Sequence, residues 1–108
     1  MTLALLCSGQ GHQSREMFRL LAAEPEVQPI FEAATAVLGI HPTDFCRTAP
    51  EATLHANREG QILCVTRALA IARALFPAGA PSDTMVAGYS VGEMAAWGWP
   101  ASGRPWTL

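Results

Sequence analysis

The stretch Met85-Val86-Ala87-Gly88-Tyr89-Ser90-Val91-Gly92-Glu93-Met94-Ala95-Ala96-Trp97 decides the fold. Thr84 to Ala87 reads as a short buried strand that runs directly into Gly88. Val91 to Trp97 reads as a helix. Gly88-x-Ser90-x-Gly92 at a strand-to-helix junction is the nucleophile-elbow pattern, a tight strained turn that pushes the serine side chain clear of the backbone. Gly88 and Gly92 remove side chains that would collide there. The helix that follows aims its N-terminal N–H groups and positive dipole end at the site. The N–H of Val91 is then placed to stabilise an oxyanion. On pattern alone, an ordinary strand-to-helix turn with a capping serine stays open.

An elbow needs a second oxyanion donor from another loop. Leu3 to Cys7 is an apolar run that reads as a fully buried strand of a parallel sheet, and Gly9-Gln10-Gly11 follows it. Both loops then lie at the carboxyl ends of parallel strands, where α/β sheets place their ligands. The bland reading of this loop is a structural glycine turn.

Between the two strands the pattern is helical. Ser14 is placed to cap a helix through Met17, Leu20 and Leu21. Val27, Ile30, Phe31, Ala34 and Leu38 keep the spacing of an amphipathic helix, and Gly39 stands where a helix C-terminal glycine belongs. Pro42 to Leu54 reads as short helical turns and loop. Ile62 to Phe76 is apolar almost all round, which predicts a buried helix ended by Pro77 to Pro81. The order strand, helices, strand, sharp turn, helix indicates an α/β domain with a parallel sheet.

The chain has 108 residues, half of them hydrophobic and 15% charged, so one small domain with a buried core is expected. A net charge of −2 offers no electrostatic case for nucleic acid or an anionic membrane surface. Cys7, Cys46 and Cys64 are widely spaced and odd in number, which fits reduced thiols in a cytoplasmic protein. The apolar start lacks a basic leader and falls short of the roughly 7–15 residues of a signal core. No stretch approaches the roughly 20 apolar residues of a membrane helix.

Taken together, these motifs resemble the malonyl-CoA:acyl-carrier-protein transacylase family. The matching stretches are Gly9-Gln10-Gly11-His12-Gln13, then Gln61 opening the apolar helix, then Gly88-Tyr89-Ser90-Val91-Gly92-Glu93. Leu5-Leu6-Cys7-Ser8, the run Leu54-His55-Ala56-Asn57-Arg58-Glu59-Gly60-Gln61-Ile62-Leu63-Cys64, and Tyr89 look closer to the epsilon subunit of malonate decarboxylase. The resemblance covers Leu3 to Gly98. It implies the N-terminal part of an α/β-hydrolase-like acyltransferase domain over residues 1–98, ending after the elbow.

The resemblance also implies a two-step transfer. Ser90 takes malonyl from malonyl-CoA as an ester and passes it to the phosphopantetheine-type thiol of an acyl-carrier protein. Backbone N–H groups of Gln10 and Val91 form the oxyanion hole, and Gly9, Gly11, Gln61, Gly88 and Gly92 line the site. No metal and no permanently bound cofactor is expected; malonyl-CoA is the substrate. The implied partners are the acyl-carrier protein and further malonate decarboxylase subunits. A malonyl transacylase of fatty-acid synthesis, a GxSxG esterase and a non-catalytic truncated remnant are the alternatives.

A serine hydroxyl needs a base to take its proton. The family supplies a histidine downstream of the elbow, and an arginine whose planar guanidinium suits malonate's free carboxylate. Neither position is reached by Leu108. His12, His41, His55 and Arg104 have no strong claim to substitute. From Trp99 the sequence leaves the family pattern, so residues 99–108 are expected to be a non-matching tail. Codons for Trp-Pro-Ala, read one base earlier, can encode Val-Ala-Gly, which points to a single-base deletion near the Gly98 codon; a genuine short tail or an incomplete gene model is the alternative. The 108-residue chain alone is expected to be inactive, and marginally stable, aggregation-prone or partner-dependent.

Overall fold

A computed structural model describes residues 4–7, 9, 11, 13–78, 85–88, 92 and 95. Two short apolar runs form strands β1 (Ala4–Cys7) and β2 (Met85–Gly88). They pair in parallel with Ala4 opposite Met85, Leu5 opposite Val86, Leu6 opposite Ala87 and Cys7 opposite Gly88. Parallel strands need a long crossover, and here a set of helices supplies it.

The strands differ from expectation in one respect. Both read as fully buried, yet Leu6 is 83% and Met85 is 68% exposed. Ala4 and Ala87 are exposed as well. Alternate strand residues point to one face, so these four form a single apolar face that no described element covers. An apolar run reveals that a strand can be buried, but not how many of its faces find cover.

A succession of three-residue turns follows the glycine loop. Backbone bonds run from Met17 N–H to Ser14 C=O (3.3 Å), Arg19 to Glu16 (3.1 Å), Leu21 to Phe18 (3.0 Å) and Glu24 to Leu21 (3.1 Å). The α-helix expected after Ser14 is therefore replaced by tighter turns. Their pitch of three residues keeps Phe18 buried and Leu21 half-buried, while Leu20 is turned outward at 84% exposure.

A 3-10 turn at Pro25–Val27 leads into α1 (Gln28–Leu38). Val27, Ile30, Phe31 and Ala34 are buried along one stripe, as the spacing predicts. Gly39 ends α1 at φ 86°, and its N–H donates to Thr35 C=O at 2.8 Å. Two short helices follow, α2 (Pro42–Thr48) and α3 (Glu51–Leu54), in the proline-bearing segment read as helical turns and loop.

Helix α4 spans Asn57–Leu75. It starts a turn earlier than its apolar pattern, because Asn57, Arg58 and Glu59 are polar first-turn residues that hydrophobic spacing does not detect. Gln61 consequently sits in the second turn rather than opening the helix. Leu63, Cys64, Thr66, Leu69, Ala70 and Ala72 are buried, but Ile71 is 43% and Leu75 is 64% exposed. The helix is thus covered on most sides, not all.

α1 packs on α4, and their shared core contains Phe18, Val27, Ile30, Phe31, Cys46, Leu54, Leu63, Leu69 and Ala70. Burying each large side chain stabilises by about 1.5–3 kcal/mol, so this cluster is the main source of stability. Phe18 meets Phe31 edge to face, with centroids 5.5 Å apart and rings at 88°, the favoured aromatic geometry. Among the described residues, no helix is long and apolar enough to cross a membrane.

Candidate functional site

The parallel register fixes where the two glycine motifs begin. Cys7 and Gly88 are partners across the ladder, and neighbouring strands lie about 4.8 Å apart. The chain therefore leaves β1 toward Gly9 and β2 toward Ser90 at the same sheet end, side by side. β2 ends at Gly88, and by Gly92 the chain is helical, as it is at Ala95. A strand end at Gly88 and helix at Gly92 on either side fit a strand-to-helix junction. Gly92 and Ala95 are both buried, and residues three apart share a helix face. That face packs inward.

Ser90, Gln10 and Val91 lie outside the described residues, as do His12 and the tail at 99–108. Of the other residues singled out from the sequence, Gly9 and Gly88 are half-buried at the strand ends. Gly11 is exposed at φ 124°, a conformation that favours glycine. Gln61 is half-buried on α4, with Nε2 donating to Asn57 Oδ1 at 3.4 Å. It stands one turn before Cys64 on the same face of α4.

Gln13 is the residue that joins the glycine loop to the helices, and sequence reasoning assigned it no role. Its side chain is 7% exposed. Its Oε1 accepts the Gly11 N–H at 2.6 Å, and its Nε2 donates to Leu54 C=O at 3.4 Å. The Cys64 thiol donates to Oε1 at 3.8 Å. Only one orientation of the amide satisfies these partners, since a flipped amide would set an N–H against the Gly11 N–H. The signal in the sequence was a polar residue wedged between a glycine loop and apolar segments; its burial could not be read there.

Arg15, two residues on, provides a second tie. Its Nη1 donates to Ala49 C=O at 2.9 Å and to the carbonyls of Cys46 and Arg47 at 3.3 Å each. These are last-turn carbonyls of α2 and its C-cap, where a cation offsets the negative end of the helix dipole. Nη2 pairs with Glu51 Oε2 at 3.2 Å.

The described histidines are occupied in structural contacts. His41 caps α2, its Nδ1 accepting the Thr43 N–H at 3.1 Å, and its ring packs on Phe31. His55 Nε2 meets Glu51 Oε1 at 3.1 Å. All three cysteines are free. Burial raises the Cys7 thiol above its usual value, pushes Cys46 up to about 11 against the opposing pull of Arg15, and raises Cys64 despite Arg67 and the Gly11 backbone. Thiols held protonated at neutral pH are poor nucleophiles. An open groove lined by Glu16, Met17, Arg19, Leu20, Leu21 and Ile71 includes none of the residues at the sheet end.

In comparison with solved structures, this architecture is similar to part of two acyl-carrier-protein malonyltransferases. The chain superposes on an acyl-carrier-protein S-malonyltransferase from Burkholderia pseudomallei with a TM-score of 0.78 and 31% identity. It matches a malonyl-transacylase solved in complex with its type II PKS acyl-carrier protein, with a TM-score of 0.73 and 32% identity. Each match covers 89% of this chain and 31% of the other. No family model matches the chain, and no curated protein matches it. The α/β fold, with its parallel strand pair and helical crossover, is that of part of an acyltransferase domain.

Proposed function

We propose that this chain is the part of a malonyl-CoA:acyl-carrier-protein transacylase that carries the acyl-accepting serine. The observation that carries the reading is the likeness to two malonyltransferases over 89% of the chain. In the proposed reaction Ser90 Oγ attacks the thioester carbonyl of malonyl-CoA. Its proton passes to a base, the C–S bond breaks, and CoA leaves as the thiol. The thiol of a carrier's phosphopantetheine-type arm then attacks the ester, the C–O bond breaks, and Ser90 recovers its proton. Backbone N–H groups of Gln10 and Val91 receive the oxyanion in both steps, where one such donor is worth roughly 100–1000-fold in rate. Gly9, Gly11, Gln61, Gly88 and Gly92 line this site.

Base and carboxylate-binding group come, in this reading, from polypeptide beyond the described residues. The chain spans 31% of the length of the malonyltransferases it matches, and the described histidines are committed elsewhere. The finer assignment is to malonate decarboxylase, whose carrier bears a modified dephospho-CoA arm. Tyr89, Leu5-Leu6-Cys7-Ser8 and Leu54 to Cys64 support that branch.

Incubation with labelled malonyl-CoA tests the proposal. Assayed in polypeptide that also carries the base, label is expected on wild type and not on Ser90→Ala, and addition of a holo-carrier should move it to the carrier thiol. Release of the label as free malonate, with none on the carrier, would favour an esterase. Absence of label on wild type would leave a non-catalytic remnant.

A further inference from the structure

We infer that Gln13 is a positioning residue for acyl transfer: its buried amide bridges Gly11 to Leu54 and so anchors the Gly11 end of the glycine loop. The inference rests on the transacylase reading, in which that loop supplies an oxyanion donor. A glycine loop has the widest backbone freedom of any segment, and an oxyanion donor works only if it is aimed in advance. The loop therefore needs an external brace close to its donor.

Gln13 meets that need in three ways. It is two residues from Gly11 and grips the Gly11 N–H at 2.6 Å, fixing that peptide while Gly11 stands at φ 124°. At its other end it is tied to Leu54 C=O at 3.4 Å, the last residue of α3. Below, the Cys64 thiol of α4 closes on the same Oε1. The brace thus runs from the exposed loop to two helices of the core, through a side chain that is itself 7% exposed. An amide is the neutral group that both accepts and donates across this gap. Among the described residues its side-chain partners are Gly11, Leu54 and Cys64, so it is proposed to act through the loop.

Two variants test the role in polypeptide that also carries the base. Gln13→Met keeps the volume and removes the bonds to Gly11, Leu54 and Cys64. Gln13→Glu keeps the Gly11 acceptor, and its neutral acid form regains a donor for Leu54. Burial and the facing carbonyl favour that neutral form. Two readouts apply: hydrogen exchange at the Gly11 amide, and the rate and half-saturation of Ser90 labelling by malonyl-CoA.

The expected result for Gln13→Met is at least tenfold faster Gly11 exchange with α1 and α4 amides unchanged. Labelling should slow about tenfold or more at unchanged half-saturation. The labelling rate of Gln13→Glu relative to wild type should climb as pH falls, while the Gln13→Met ratio stays flat. Unchanged Gly11 exchange in Gln13→Met, or lost protection with a wild-type labelling rate, overturns the positioning role and leaves the transacylase reading standing. Wild-type polypeptide that carries the base and still takes no label on Ser90 overturns both.

Discussion

Leu6 and Ala87 are partners across the parallel β1–β2 ladder, and both side chains face outward uncovered, Leu6 at 83% exposure. Ala4 and Met85 extend the same face. Exposed strand faces of this kind are sites of association. Leu6→Thr combined with Met85→Thr should reduce light scattering by concentrated protein, since threonine keeps strand propensity while lowering apolar area. Urea unfolding should shift by no more than about 0.5 kcal/mol, because little burial is lost. Equal aggregation in the variant would show that this face is not what associates.

Arg15 binds α2 to the turns that leave the glycine loop, and the contribution of each of its bonds can be separated. Its pair with Glu51 is solvent-exposed, with side chains 43% and 71% accessible, and such pairs contribute about 0–1 kcal/mol. The bonds to backbone carbonyls at the end of α2 are the stronger part. Arg15→Ala should cost about 1–2 kcal/mol in chemical unfolding, and Glu51→Gln well under half of that. Arg15→Lys should restore only part, since a single ammonium cannot span several carbonyls and a carboxylate together. A Glu51→Gln loss as large as that of Arg15→Ala would reverse this assignment.

The legible and illegible parts of the fold divide by range. Helix α1 and its Gly39 end were readable because both follow from local physics: a 3.6-residue apolar stripe and a left-handed residue that glycine supplies. The parallel strand pair was readable because apolar runs, glycine turns and a helical crossover admit few topologies. The turns at Ser14 to Glu24 were not, since Met17, Phe18, Leu20 and Leu21 fit a helical stripe and a three-residue pitch nearly as well. The braces at Gln13 and Arg15 reach partners more than 30 residues away, Leu54 and Ala49. No local pattern marks such a bond. The elbow was visible as spacing, and the structure adds the strand end at Gly88 and the helix at Gly92 on either side of it.

Gly39 provides a test of backbone strain without a steric clash. Its φ of 86° is left-handed, and a Cβ built there would meet nothing within 4 Å. Any cost of Gly39→Ala is then conformational, about 1–2 kcal/mol, and should appear as a lowered unfolding midpoint in urea. Gly39→Asn should cost less, because asparagine tolerates this conformation. Equal losses in the two variants would point away from the φ angle as the cause.

Cys46 gives the fold a defined alkaline limit. Its side chain is fully buried, and burial pushes its thiol from 9.0 up to about 11. The folded pKa is raised, so the stabilisation is complete below pH 9 and is lost as pH rises through 11. Two units correspond to about 2–3 kcal/mol. Unfolding free energy measured by urea titration should therefore fall between pH 9 and 11, and Cys46→Ala should flatten that fall. Arg15 lowers the Cys46 value through its charge, so Arg15→Ala should extend the decline to higher pH while its onset stays near the unfolded thiol value. If Cys46→Ala follows the wild-type curve across this window, the alkaline loss belongs to other groups.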